Sequence, residues 1–533
     1  MMIIRARSRN RGLALTGLAL TGALALTGCS GQGGGGAEPD YVEDGTFVLA
    51  IATDIGSLDP HLSATSSSLA ASRFAYDSLV NMTEDGEIVS GLAEDWKVDG
   101  TTVTFTLRDD VTCADGSPFT AATVKGNLDF IADPENASPL LGAFVPAGVT
   151  VEADEAARTV TLTLATAAPF VVQSLSNVGM VCDAGLADRS TLVAGTDGTG
   201  PFTLTEAVSN DHYAYAVRDD YAWGPDGATT DQPGTPAVVD LKVIPNETTV
   251  ANLLLAGDVN AARIVGPDRD RLEGKDVTSS QAVVGETWFN QAEGRVTADP
   301  AVRMALTQAL DLDELANVIT SGRGERATQL AVAAPAACTA GDFTSALPAS
   351  SAEDAQKTLE DAGWARAGEG WQKDGEPLSV AFIHDSALGP GGAAAAELVT
   401  AAWQELGVDL DVRTMPTDEL SGVLFGGGAW DVVWEPLNVN TPDQLLGFLT
   451  GAGPAEGGTN FASIANDEYA ALTAEAMTMT GTDSCDTWFE AEKALVSNLD
   501  LLPFAVNVLP MYANGVEFTG ADTIDPTSIR LVG

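Results

Sequence analysis

Histidine is nearly absent: His61, His212 and His384 are the only three in 533 residues, and they lie far apart. None has a neighbouring set of ligand residues, so a histidine-based metal centre or hydrolytic triad has little to be built from. Ordinary surface or packing roles are the expectation for each. Short catalytic signatures are missing too. The chain has no G-x-S-x-G, no H-E-x-x-H and no G-x-x-x-x-G-K-[ST]. Asp311/Asp313 and Asp409/Asp411 are spaced like carboxylate pairs, but the first opens a helix and the second alternates along a strand. Solvated faces account for both. No catalytic residue, metal site or cofactor is expected.

Basic residues are scarce as well, with 26 Lys and Arg against 75 Asp and Glu, for a formal net charge of -49. A surface this acidic repels phosphate backbones and anionic headgroups, which removes nucleic acid from the expected partners. Cysteine is limited to Cys29, Cys113, Cys182, Cys338 and Cys485. Their spacings are too wide for a zinc motif. Beyond the N-terminus, no segment is apolar enough to cross a bilayer as a helix.

The N-terminus itself is distinctive. Arg5, Arg7, Arg9 and Arg11 precede an apolar run from Leu13 to Leu26, with no acid among them. A basic region, a short apolar region and small residues at the cut form a secretory signal. Leu26-Thr27-Gly28-Cys29 resembles a lipobox, in which the cysteine thiol takes a lipid before cleavage. The expectation is a leader over 1–28 and a lipidated Cys29 on the outer face of a membrane. Residues 29–39 include Gly31, Gly33, Gly34, Gly35 and Gly36, which cannot bury a core and read as a tether. Cleavage leaves roughly five hundred residues, enough for more than one lobe. With Cys29 lipidated, four cysteines remain in an oxidising compartment, with three possible disulfide pairings.

The body of the chain alternates strand and helix patterns. Phe47–Ile51 is a continuous apolar run suited to a strand buried on both faces. Val103, Phe105 and Leu107 alternate with threonines, and Val160, Leu162 and Leu164 repeat the pattern, as in half-buried antiparallel strands. Leu378–Ile383, Val408–Val412 and Trp430–Trp434 read as further strands. Ala393–Leu406 reads as a helix ended by Gly407, and Pro300–Ile319 as one helix entered by its proline. The class is α/β with antiparallel parts.

Several segments stand in a telling order. They begin with Ser57-Leu58-Asp59-Pro60, Tyr76-Asp77-Ser78-Leu79-Val80 and Leu92-Ala93-Glu94-Asp95-Trp96. Phe105–Arg108, Asp115–Ala121, Gly198–Phe202 and Arg218–Tyr221 with Trp223-Gly224 follow. Phe289-Asn290, Val302–Leu306, Ala309–Asp311 and Asp361–Trp364 close the series. Together they resemble the solute-binding proteins of family 5, which serve oligopeptide, dipeptide and nickel-type ABC importers. The resemblance implies a periplasmic-binding-protein type II-like clamshell of two lobes with an additional inserted domain and mixed sheets. Lobe I would comprise 40–70, 199–285 and 508–533, lobe II 71–198, and lobe III, the opposing jaw, 286–507. It implies a monomer that closes on a small solute or peptide and is read by a permease and ATPase complex. A disulfide joining the jaws would pin such a hinge, so the implied pairs are Cys113–Cys182 and Cys338–Cys485.

Peptide binders of this family pair the ligand ammonium with an aspartate in the third domain. The matching position here is Asn438, in a segment about two residues shorter. A neutral amide cannot make the charge-assisted bond. Glu435 is the candidate replacement. Trp434 and Trp288 are the expected cleft aromatics, with Asn290 beside them. Two other classes share the same leader: an exported, lipid-anchored hydrolase, and a binding lobe used for sensing or adhesion.

Overall fold

Two long strands organise the molecule. In the computed structural model, which describes residues 40–533 apart from 64–65, 84–85 and 521–522, Asp276–Phe289 and Leu501–Ala513 pair antiparallel from Thr278–Met511 to Trp288–Leu501. Fourteen residues of strand make this ribbon about 45 Å long. The expected leader over 1–28, Cys29 and the expected tether over 29–39 lie outside the described residues.

Each end of the ribbon carries half of one mixed sheet. At one end Ala261–Arg263 pairs with Met511–Ala513. Next come Thr46–Ile51, Val238–Val243, His212–Val217 and Phe202–Val208. Thr46–Ile51 runs parallel to a neighbour on each side, which is why its sequence is apolar without a break. At the other end Val432–Trp434 pairs with Thr287–Phe289, followed by Ser379–Asp385 and Asp409–Met415. Here alternate residues enter separate cores. Phe382 and Trp434 pack on one face, Ile383 and Val433 on the other.

A separate four-stranded antiparallel sheet is formed by Ala93–Asp99, Thr102–Leu107, Thr159–Thr163 and Thr150–Asp154. Val103, Phe105 and Leu107 face inward with their threonine neighbours outside. Helix Ala121–Ala132 packs in the same core through Val124, Leu128 and Ile131, one stripe at helical spacing. Thr120 and Thr123 form a reciprocal capping box at its start.

One sequence expectation needs correction. Pro300–Ile319 is two helices, Pro300–Gln308 and Leu312–Ile319. The Asp311 carboxylate accepts from the backbone N–H groups of Asp313 and Glu314 and so starts the second helix. A cap of this kind competes with helix continuation. Among the described residues no helix is long and apolar enough to cross a membrane. Cys113 is bonded to Cys182, and Cys338 to Cys485.

Candidate functional site

A cleft opens where three distant parts of the chain meet. Its larger chamber, about 500 Å³, is lined on one side by Leu69–Ser78, Gly142–Phe144 and Ser176–Gly179. The facing wall comes from Ala333–Pro335, Asn438–Asn440, Gln444 and Phe448. A smaller chamber of about 360 Å³ continues toward Tyr221 and Asp525. Arg73, Tyr76, Ser78, Pro335 and Thr523 border both chambers, so they form one bent space.

The near side is rigid because glycines allow close approach. A Cβ on Gly198 would lie 2.3 Å from the Ala75 carbonyl oxygen, and one on Gly200 would lie 2.4 Å from the Ala75 carbonyl carbon. The Gly200 N–H donates to that same carbonyl at 3.0 Å. Beneath them the Asp77 carboxylate accepts from Tyr221 Oη at 2.8 Å, Thr199 Oγ1 at 2.8 Å and Trp223 Nε1 at 3.0 Å. Burial raises the Asp77 pKa, against the lowering effect of these bonds. The Arg218 guanidinium donates to the carbonyls of Thr112, Thr199 and Cys113. Ser57–Pro60 is held in the same way. Buried Asp59 pairs with Arg189 through both carboxylate oxygens, and His61 Nε2 donates to the Gly179 carbonyl at 2.9 Å. Burial, then the Arg189 charge, lowers the His61 pKa to about 4. The motif segments thus build the frame of the cleft more than its lining.

The expected ligand residues fall out differently from the sequence reading. Trp434 is 1 % exposed and packs against Phe382 and Phe504 with ring centroids 5.1 and 5.2 Å away. Trp288 is fully buried; its Nε1 donates to the Glu435 carbonyl at 2.8 Å, and its ring lies 4.9 Å from Phe461. Asn290 donates to the Trp430 carbonyl at 3.0 Å behind the sheet. None of these three borders the cleft. Both tryptophans sit on central strands covered on two faces, which directs their rings into core. Glu435 does not border it either, and burial beside Asp385 lifts its pKa to about 7. Of the five, only Asn438 lines the chamber. Its side chain accepts from Val283 N at 2.7 Å and donates to Val283 O at 3.1 Å. It therefore imitates a paired strand residue just past Pro436, which has no N–H to give.

Sequence reasoning missed several residues that the fold brings together. Arg73, Phe144, Gln444 and Phe448 line the larger chamber, and Gln444 Nε2 donates across it to the Ala143 carbonyl at 3.4 Å. No pattern at these positions distinguishes them from other loop and helix residues. Glu286 did leave a signal: it is a single acid in the otherwise uncharged run Ala282–Phe289. It is 1 % exposed and accepts from Leu437 N at 2.9 Å.

Two mixed half-sheets joined by a ribbon, with a cleft walled by distant parts of the chain, are the construction of a clamshell binding protein. Solved structures share it. An unliganded open form of the MppA periplasmic murein tripeptide binding protein matches with a TM-score of 0.76 and 21% identity, over 93% of this chain and 99% of that one. A substrate binding protein from Microbacterium hydrocarbonoxydans, complexed with 4-hydroxybenzoate hydrazide, matches at 0.68 and 27% identity, over 91% and 100%. By sequence, the nickel-binding periplasmic protein of Escherichia coli (strain K12) is 27% identical over 70% of this chain and 71% of its own length. The glutathione-binding protein GsiB of Pectobacterium atrosepticum is 27% identical over 52% of this chain and about half, 54%, of its own. Residues 87–457 match the model described as "Bacterial extracellular solute-binding proteins, family 5 Middle". The chain belongs to this family of extracytoplasmic solute-binding proteins.

Proposed function

We propose that the protein is a lipid-anchored receptor that captures a small solute of peptide or peptide-like size and delivers it to an ABC permease and ATPase pair. The carrying observation is the cleft, whose lining joins residues 69–78, 142–179 and 333–448 in one bent space. A solute held there touches both sides at once, so its binding energy favours closure. Relatives named for peptide, glutathione and nickel binding support a solute of this scale. We read the chain as a monomer that performs no chemistry on its cargo and binds no nucleic acid.

We place lobe I at 40–70, 199–285 and 508–533, lobe II at 71–198 and lobe III at 286–507. The division crosses the ribbon near its register shifts between Val283 and Glu286, irregularities of the kind that bend a strand and add local twist. Each disulfide then lies within one lobe and leaves the jaws free to part. Cys29 would hold the assembly to the membrane, and a tether of about a dozen residues reaches roughly 20 Å. Cys29→Ser should release the protein from the membrane fraction; retention there after detergent-free washing would remove the anchor from this reading.

Native mass spectrometry of the protein purified without denaturation tests the capture itself. The expected result is a retained solute of a few hundred daltons. Calorimetry with trialanine, glutathione and a nickel–histidine chelate then sorts the classes. The absence of both a retained solute and binding of any probe would overturn the proposal, and conversion of a probe would favour a hydrolase.

A further inference from the structure

Two buried carboxyls, Glu286 and Glu492, and the half-buried Glu435 lie behind the lobe III wall of the cleft, and the first two hold that wall by its backbone. Glu286, on the ribbon, accepts from Leu437 N at 2.9 Å and from Trp288 Nε1 at 3.3 Å. Leu437 directly precedes Asn438, the first of the wall residues 438–440. Glu492, on helix Cys485–Ser497, accepts from Leu330 N at 3.1 Å. Leu330 leads into the other wall strip, Ala333–Pro335. The two strips are tied together, since Ala333 N donates to Val439 O at 3.1 Å and Ala337 N to Asn440 O at 2.9 Å. Cys338, three residues past the second strip, is bonded to Cys485 at the start of the helix that carries Glu492.

The surroundings offer these carboxyls no compensating charge. Glu286 faces Glu435 and Glu492, Glu435 faces Asp385, and Tyr469 faces Glu492. Among the described residues none of the three glutamates has a lysine or arginine partner. Glu286 and Glu492 are 1 % and 4 % exposed. A buried carboxylate without a cation is costly, whereas the neutral acid still accepts a backbone N–H.

We propose that Glu286 and Glu492 are positioning residues for the cleft: as neutral acids they hold both strips of the lobe III wall in place, and ionisation, by putting an uncompensated charge in a desolvated site, drives the strips to open toward water. This rests on the cleft being the solute site, but its mechanism does not need a bound solute. Burial is the first cause acting on both groups and lifts each pKa to about 8, against the N–H bonds from Leu437 and Leu330, which favour the charged form. The neutral form therefore prevails at neutral pH and fades above it. A wall that loosens with rising pH would bind solute best in neutral to mildly acidic surroundings.

Hydrogen exchange of the full chain, without added solute and with intrinsic chemical rates divided out, tests the idea. Fragmentation to single-residue resolution reports Leu437 and Leu330. Their protection should fall roughly tenfold between pH 7 and pH 9, as expected for one titrating group near pH 8. Glu286→Gln should make Leu437 protection independent of pH while Leu330 still responds, and Glu492→Gln should do the reverse. Equal protection of the wild type at the two pH values would overturn the proposal, whether or not either variant folds. So would an unchanged Leu437 profile in Glu286→Gln. A cleft that bound none of the probes above would sink the transport reading and leave this measurement standing.

Discussion

At the residue scale, side-chain identity and side-chain placement part company. Trp434, Trp288 and Asn290 carry the chemistry of a ligand site, yet all three point into core or behind the sheet. Trp434 touches Phe382 and Phe504, so its removal leaves a large cavity. Trp434→Ala should cost about 3–5 kcal/mol of stability, read by denaturant unfolding. A stable variant with weakened solute binding would instead return Trp434 to the cleft. Asn438 illustrates the opposite case. Its place in the chain was legible, but its two bonds to Val283 depend on Asp276–Phe289 lying alongside. The polar and aromatic residues that do line the cavity, among them Phe144 and Gln444, come from unremarkable stretches. Only the fold selects them.

At the element scale, the local physics was largely readable. Alternation gave the strand Thr102–Leu107, an unbroken apolar run gave Thr46–Ile51, and Gly407 marked the end of helix Gly389–Leu406. These signals work because burial on one face, burial on both faces and a left-handed cap each leave a distinct pattern in sequence. Asp311/Asp313 reads as a helix start, yet the run Pro300–Ile319 also reads as one helix, because Asp311 suits an exposed helix position as well as a cap, which is what it is. The ribbon could not be read as such. Its register shifts depend on contacts with a strand more than two hundred positions away. Gly285 shows the constraint, since a Cβ there would lie 2.4 Å from the buried Phe504 ring. Gly285→Ala should destabilise the protein by roughly 1–3 kcal/mol through overpacking, measured by chemical unfolding. A neutral result would mean that Phe504 yields easily and that the ribbon is less constrained than its packing suggests.

At the scale of the whole molecule, pH should act on stability through opposing groups. His61 has a folded pKa near 4, below its ordinary value of 6.5. The folded state therefore binds fewer protons in that interval, and His61 makes stability fall as pH drops through it. The buried glutamates have the other sign. Raised to about 8, Glu286 and Glu492 keep protons that the unfolded chain has released. Their contribution declines as pH rises from about 4.5 and levels off past about 8. Above pH 6.5 His61 is neutral in the folded protein and mostly neutral in the unfolded chain, so the decline from pH 6.5 to 8 belongs chiefly to the carboxyls. The melting temperature should fall across that window and then flatten, with a shallower fall in Glu286→Gln. A melting temperature that rises from pH 6.5 to 8 would show that these carboxyls are already ionised in the folded protein.

The sequence by itself determined the family, the α/β class and the strong acidity, because these reside in local pattern, ordered motifs and composition. The proposal of an export leader and an anchoring Cys29 likewise rests on a short linear stretch of sequence alone. Tertiary structure decided which aromatics became core, which loops became cleft wall, and where buried acids gathered behind that wall. Those outcomes turn on which distant segments share one desolvated volume. Glu286, Leu437, Leu330 and Glu492 are neighbours only after the chain has folded, and no local pattern encodes that proximity.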